Sequence, residues 1–149
     1  MLKIKADMSP TEKAKFKEWV NSLNRTTQNK VKMNVVNSVN TMHRRALMLV
    51  PSNKEIGQGP YLKSSILRKI DPNRLGGSVY SFREYAPYVE WGTGTRVEVL
   101  PEDKDYAMTF KGVKSVVGIY PQPYLMPAKR IAIKELRSKL KNMGLKEVE

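Results

Sequence analysis

Apolar residues recur every three or four positions in two stretches near the start of the chain. The first holds Phe16, Trp19, Val20 and Leu23 and follows Ser9-Pro10-Thr11-Glu12. Those four residues have the form of a helix start. Ser9 offers an oxygen to the orphan amides, Pro10 suits the first helical position, and Glu12 completes a capping box. The pattern predicts a short helix over 9–23. Asn24-Arg25-Thr26-Thr27 then reads as a break and a new cap, and Val31, Val35, Val39, Met42, Ala46 and Leu49 form one stripe of a longer helix over 27–50, ended by Pro51. The stripe stops within three heptads and has asparagines beside it, so core packing explains it better than a coiled-coil seam.

The period changes after Pro51. Two glycines and two prolines between Pro51 and Pro60 predict a loop. Ser64–Ile70 and Gly77–Phe82 read as strands joined by a hairpin-type turn through Asp71-Pro72-Asn73-Arg74-Leu75-Gly76. The aromatic stretch 85–91 either extends the second strand or forms a short helical turn. Arg96–Leu100 and Val113–Tyr120 are further strand candidates, separated by the polar connection Pro101–Asp105. Pro121, Pro123 and Pro127 force an extended turn. A last helix is then predicted over 127–143, its buried side made of Ala128, Ile131, Ala132, Ile133, Leu136 and Leu140, with Gly144 as its cap and 146–149 as a frayed tail. Helix, helix, strands, helix is the order of an α+β fold. The expectation is a single domain over 1–149: a small, mostly antiparallel sheet within 64–120, packed against the long helix and the C-terminal helix, with the short N-terminal helix in addition.

Composition adds a charge to this picture. At 149 residues and 40% apolar content, the chain builds one domain with a modest core. Its formal charge is +13, and the excess sits at the two ends: residues 1–50 carry 10 basic and 3 acidic side chains, 101–149 carry 10 and 6, and 51–100 carry 7 and 5. Such an excess favours polyanions through counterion release, or simply keeps helical faces soluble. No cysteine is present, which excludes disulfides, a thiol nucleophile and a thiolate metal site. No apolar run approaches the ~20 residues that cross a bilayer, and Met1–Asp7 lacks the apolar centre of a signal peptide, so an intracellular origin is expected.

Candidate chemistry is sparse. His43 is the single histidine, set between Met42 and Arg44 in the long helix, and a surface or packing role is expected of it. Glu84 and Glu90 lie six apart, while Glu102, Asp103 and Asp105 crowd one connection; neither spacing selects a paired-carboxylate or metal mechanism. Gly92-Thr93-Gly94-Thr95 lacks the lysine and helix start of a phosphate loop. No catalytic residue, metal ligand or cofactor is expected. Tyr80, Phe82, Tyr85, Tyr88 and Trp91 could stack on single-stranded nucleic acid or dock on a protein, and interface hot spots favour the same residue types.

Three blocks in order carry a resemblance. Ala46-Leu47-Met48-Leu49-Val50-Pro51 leads through a glycine-containing loop to Tyr61-Leu62-Lys63-Ser64-Ser65-Ile66. Tyr85-Ala86-Pro87-Tyr88-Val89-Glu90-Trp91-Gly92-Thr93 follows, and Pro121-Gln122-Pro123-Tyr124-Leu125-Met126-Pro127-Ala128 leads into the last helix. Over about 27–143 the chain resembles the neck or tail-completion family of long-tailed bacteriophages, also described as head–tail joining or minor tail components. It departs from that pattern at Gly57-Gln58-Gly59-Pro60, where Asp-Thr-Gly is frequent, at Lys63 for the usual Arg, and at Tyr124 for the usual Phe.

The resemblance implies a structural virion protein of the neck, assembled in the host cytoplasm and without catalysis. It would complete the tail end and join it to the head connector as a homo-oligomeric ring, a hexamer by analogy with tail symmetry. Its neighbours would be connector or stopper, tail-terminator or tail-tube proteins, with double-stranded DNA passing through the lumen and no membrane involved. On this reading Tyr85, Tyr88, Glu90, Trp91, Thr93, Pro121, Pro123 and Tyr124 would meet neighbouring subunits or the connector. Lys30, Lys32, Arg44, Arg45, Lys134, Arg137 and Lys141 would face DNA. The alternative is a free nucleic-acid-binding module.

Overall fold

The capping box forms as its residues require: Ser9 N donates to Glu12 Oε2 at 2.6 Å and Glu12 N donates to Ser9 Oγ at 3.2 Å. It starts helix α1, Pro10–Ser22, in a computed structural model that describes residues 2–5, 9–51, 59–93, 97–110 and 120–145, the side chains of 2–5 and 59–61 excepted. Asn24 Oδ1 accepts from Thr27 N at 2.9 Å and opens α2, Arg25–Leu49. The Gln28 side chain donates to Leu23 O at 2.8 Å across the α1–α2 link. Val31, Val35, Met42 and Ala46 are the buried stripe of α2; Val39 is half-buried, and Leu49 is exposed.

A short helix α3, Gly59–Ser64, leads into strand β2, Ile66–Ile70, and β3, Gly77–Ser81, returns antiparallel to it with Ile66 opposite Ser81 and Ile70 opposite Gly77. The turn between them is closed by Asp71 N on Gly76 O at 3.0 Å and has Arg74 at φ 58, in the left-handed region. Strand β1, Leu2–Lys5, pairs antiparallel with the other edge of β3, so the order is β1-β3-β2. The hairpin agrees with the hydrophobic pattern. β1 was outside it, because four residues are too few for a period of two to register.

Helix α4 is Ala86–Trp91, α5 is Lys104–Ala107, and α6 is Leu125–Asn142. α2 lies on β2 and β3, α6 reaches β1, and α2 and α6 pack on each other. They run antiparallel, since Ser38 Oγ donates to Ala132 O at 3.0 Å and Asn34 Nδ2 to Met143 Sδ at 3.1 Å. Gly77 allows the close approach of α2 to the sheet: a Cβ there would sit 2.7 Å from Lys69 O and 2.8 Å from Val39 Cγ2. The main core joins Met42, Ala46, Leu62, Ile66, Val79, Trp91, Leu125 and Ala132; a smaller one gathers Val20, Val31 and Val35 with Leu136 and Leu140. The fold is α+β, with a small antiparallel sheet against a long and a C-terminal helix and a short helix before them.

Several boundaries differ from the sequence pattern. Ser64 closes α3 rather than opening a strand. The aromatic stretch 85–91 takes the helical alternative, with Pro87 pre-set for a first turn and Gly92 at φ 77 ending it. Val97–Leu100 has no strand partner; Glu98 N instead donates to Trp91 O at 3.0 Å, folding this segment back on the end of α4. The connection 101–105 is a 3-10 turn running into α5. Within 64–120, therefore, the described strands are confined to 66–81. Residues 52–58, 94–96, 111–119 and 146–149, which cover most of the predicted loop, the Val113–Tyr120 strand and the tail, lie outside the described residues.

Candidate functional site

Glu90 is the most constrained polar side chain in the described structure. It lies on α4, flanked by Val89 and Trp91, and is 1% exposed. Its Oε2 accepts from Tyr124 N at 2.9 Å and Leu125 N at 2.8 Å, and its Oε1 accepts from Met126 N at 2.8 Å. These are the first backbone donors of α6, which an isolated helix leaves without partners. The fourth position is Pro127, which has no N–H. One carboxylate and one proline thus account for the whole amino end of α6, and the carboxylate lies where the helix dipole favours negative charge.

Burial pushes the Glu90 carboxyl above its ordinary range, opposed by the three amide donors and reinforced by the charge of Asp103. Around it the segment is tied twice more. Gln122 N donates to Val89 O at 2.7 Å, and the Tyr124 ring is fully buried in the main core. The Tyr124 hydroxyl approaches Ser81 but makes no hydrogen bond of normal geometry; burial and then the nearby Glu90 charge hold the phenol well above its ordinary value. Trp91, Tyr106 and Phe110 form an aromatic cluster, with Trp91 and Tyr106 edge-on at 5.9 Å and Tyr106 and Phe110 edge-on at 5.4 Å.

The structure divides the residues expected at a subunit contact. Glu90, Trp91, Thr93 and Tyr124 are buried within the monomer, so their side chains offer nothing to a neighbour as folded. The expectation that they are docking residues is corrected: apolar neighbours and a helix end needing an acceptor drew them inward. Tyr85, Tyr88 and Pro121 are half-buried and Pro123 is exposed, which leaves these four at the surface of the same junction. Sequence reasoning missed the bond between Glu90 and the start of α6. Its signal was an acid between two apolar residues together with a proline three residues after Tyr124.

Other candidates separate in the same way. His43 Nε2 donates to Ile66 O at 3.1 Å, joining α2 to β2. Arg130 of α6 pairs with Asp103 and lies 3.7 Å from Glu102, beside an open depression of about 200 Å³ that Met126 and Lys129 also line. Arg83 lies over the exposed Phe82 ring, 5.3 Å from its centre. Among the described residues no group of three or more His, Asp or Glu side chains could hold a metal ion, and no helix is long and apolar enough to cross a membrane.

The basic candidates lie on two helices. On α2, Lys30, Arg44 and Arg45 are exposed and Lys32 is half-buried, and the solvent stripe through Lys30 and Arg44 also carries Met33, Asn37 and Met48. On α6, Lys134, Arg137 and Lys141 are all exposed and share one stripe at a spacing of three and four. Compared with known proteins, the chain matches no family model, no curated protein and no solved structure.

Proposed function

We propose that this chain is a structural subunit of the neck of a long-tailed bacteriophage, completing the tail end and joining it to the head connector. The observation that carries this reading is the Glu90 clasp. The most specific block of the resemblance, Tyr85–Thr93, and the weaker block Pro121–Ala128 are far apart in sequence, and in the fold the acid of the first accepts from three successive amides of the second. The shared pattern then has a physical reason, which is to fix the start of α6. The reading is structural rather than catalytic: the carboxylate's oxygens are committed to helix amides and it is shut away from substrate.

On this reading copies of the chain form a ring, six by analogy with the tail, and DNA passes through its lumen. Tyr85, Tyr88, Pro121 and Pro123 are the part of the junction left for neighbouring subunits, connector or tail proteins. The virion neck is the proposed location. Electron microscopy of particles made when this chain alone is removed from its source genome tests the reading. Filled heads beside unattached tails, or tails of uncontrolled length, are expected; normal infectious virions would overturn it. A second reading, a free nucleic-acid-binding module, is favoured by the exposed cations Lys134, Arg137 and Lys141 of α6. It requires tight, steeply salt-dependent binding by the monomer and no role in particle morphology.

A further inference from the structure

The solvent stripe of α6 differs from every other charged surface described. Counting from Arg130, positions 130, 134, 137 and 141 fall on one line of the helix, and each is basic. Arg130 is drawn aside by Asp103 and Glu102. The other three, Lys134, Arg137 and Lys141, are exposed, and among the described residues the only ion pairs are those of Arg130. Glu135 is the sole acid of the helix and lies off the stripe. The α2 stripe, by contrast, is diluted with asparagine and methionine.

The element beneath these cations is held at both ends. Glu90 fixes its start, and Leu145 N on Leu140 O at 3.3 Å with Gly144 N on Lys141 O at 2.9 Å closes its end. Ala128 and Ala132 bury the opposite face. From Lys134 to Lys141 the helix rises about 10.5 Å at ~1.5 Å per residue. One strand of a DNA duplex places about three phosphates along that length. Those phosphates wind around the duplex rather than lie along a line, and three long basic side chains on a rigid rod of this length can each reach one of them.

We infer that the Lys134, Arg137 and Lys141 stripe of α6 is a sequence-independent phosphate track for duplex DNA, and that the α2 cations are not part of it. The choice of DNA among polyanions rests on the neck reading. The track reads no bases, which suits a surface that DNA must slide along.

The test uses the full chain and a 30-base-pair duplex of arbitrary sequence, with affinity measured by fluorescence anisotropy between 50 and 200 mM NaCl. The variant is K134Q/R137Q/K141Q, and the control is K13Q/K15Q/K17Q, which removes the same charge from exposed positions of α1. Losing three phosphate contacts flattens the log–log salt slope by about 2.7, so the parent chain loses about 40-fold more affinity over this range than the α6 variant. The α1 variant is expected to keep the parent slope. Equal flattening in both variants would overturn the track, leaving net charge as the cause. Tighter binding of the parent chain to phosphatidylglycerol vesicles, or to single-stranded RNA of equal length, would overturn it in favour of those partners. Lysine-modification footprinting of the parent chain needs no variant: duplex should protect Lys134 and Lys141 but not Lys13, Lys15 and Lys17, and the reverse sinks the track. None of these outcomes touches the neck reading, which stands or falls on particle morphology.

Discussion

The two ends of α6 face the same problem and solve it with different chemistry. At the carboxyl end the last carbonyls are met by amides of the next few residues: Gly144, at φ 74, turns the chain so that Leu145 N reaches Leu140 O and Gly144 N reaches Lys141 O. At the amino end the donors are buried, and the acceptor is Glu90, more than thirty residues earlier on α4. An exposed helix end has water as a fallback and needs only a local cap. A buried end has none, so its acceptor must be delivered by the fold. The amino end should therefore be the more fragile one and the more coupled to distant structure.

Breaking the buried end should have the largest effect. Glu90→Ala leaves Tyr124, Leu125 and Met126 N–H groups without acceptors in the core, and a loss on the order of 3–5 kcal/mol is expected in urea unfolding. A loss below about 1 kcal/mol would mean that water reaches these amides and the end is not closed. Should the variant be too unstable to purify, Glu90→Gln gives the smaller step. One amide oxygen can keep two of the three bonds, while the NH2 group faces a third donor, for an expected cost of about 1–2 kcal/mol at neutral pH.

The same pair of proteins carries a pH test. Glu90 binds its proton more tightly folded than unfolded, chiefly through burial. The folded state therefore holds more protons as pH rises past the ordinary carboxylate range, and the stability this group supplies falls until it is ionised. Glutamine does not titrate, so the parent-minus-E90Q gap should widen on acidification towards pH 4.5, the unshifted value. If the gap narrows instead, the three amide donors outweigh burial.

How much of this was legible follows the same division. The capping box of Ser9 and Glu12, the stripe of α2, the β2–β3 hairpin and the Gly144 cap are all written within a few residues of where they act, and each formed. The clasp, the pairing of β1 with β3 and the Arg130–Asp103 ion pair depend on which distant segments meet. Hydrophobic period carries no information about that. The aromatic stretch misled for a related reason. Tyr and Trp near prolines look alike whether they face a partner or their own core, and Trp91 is 3% exposed because α4 turned it towards Tyr106 and Phe110.

The exposed end offers the milder perturbation. A side chain at Gly144 would meet nothing within 4 Å, so the whole cost of Gly144→Ala is the left-handed backbone. That is about 1 kcal/mol, with loss of protection at the last turn of α6 and none at its first. Amide hydrogen exchange of the variant distinguishes the two ends directly. Faster exchange at Leu125 or Met126 would show that they fail together, contrary to the comparison.

Tyr124→Phe should have the smallest effect, and its sign is the informative part. The ring sits in the buried end and fills core that phenylalanine would fill equally, whereas the hydroxyl has no bond of normal geometry. Ser81 already makes two hydrogen bonds: Ser65 gives its proton to Leu62 O, so Ser81 donates to Ser65, and it accepts from Arg83 N, which leaves one lone pair that the Tyr124 hydroxyl does not engage in bonding geometry. Deleting a buried hydroxyl without a partner removes a desolvation cost, so Tyr124→Phe is expected to leave stability unchanged or raise it by up to about 1 kcal/mol. A loss greater than about 1 kcal/mol would mean that the hydroxyl completes the Ser65–Ser81 network. The buried end would then be closed by two side chains, Glu90 on the amides and Tyr124 on the sheet, and α6 would be coupled to β3 through the residue that caps it.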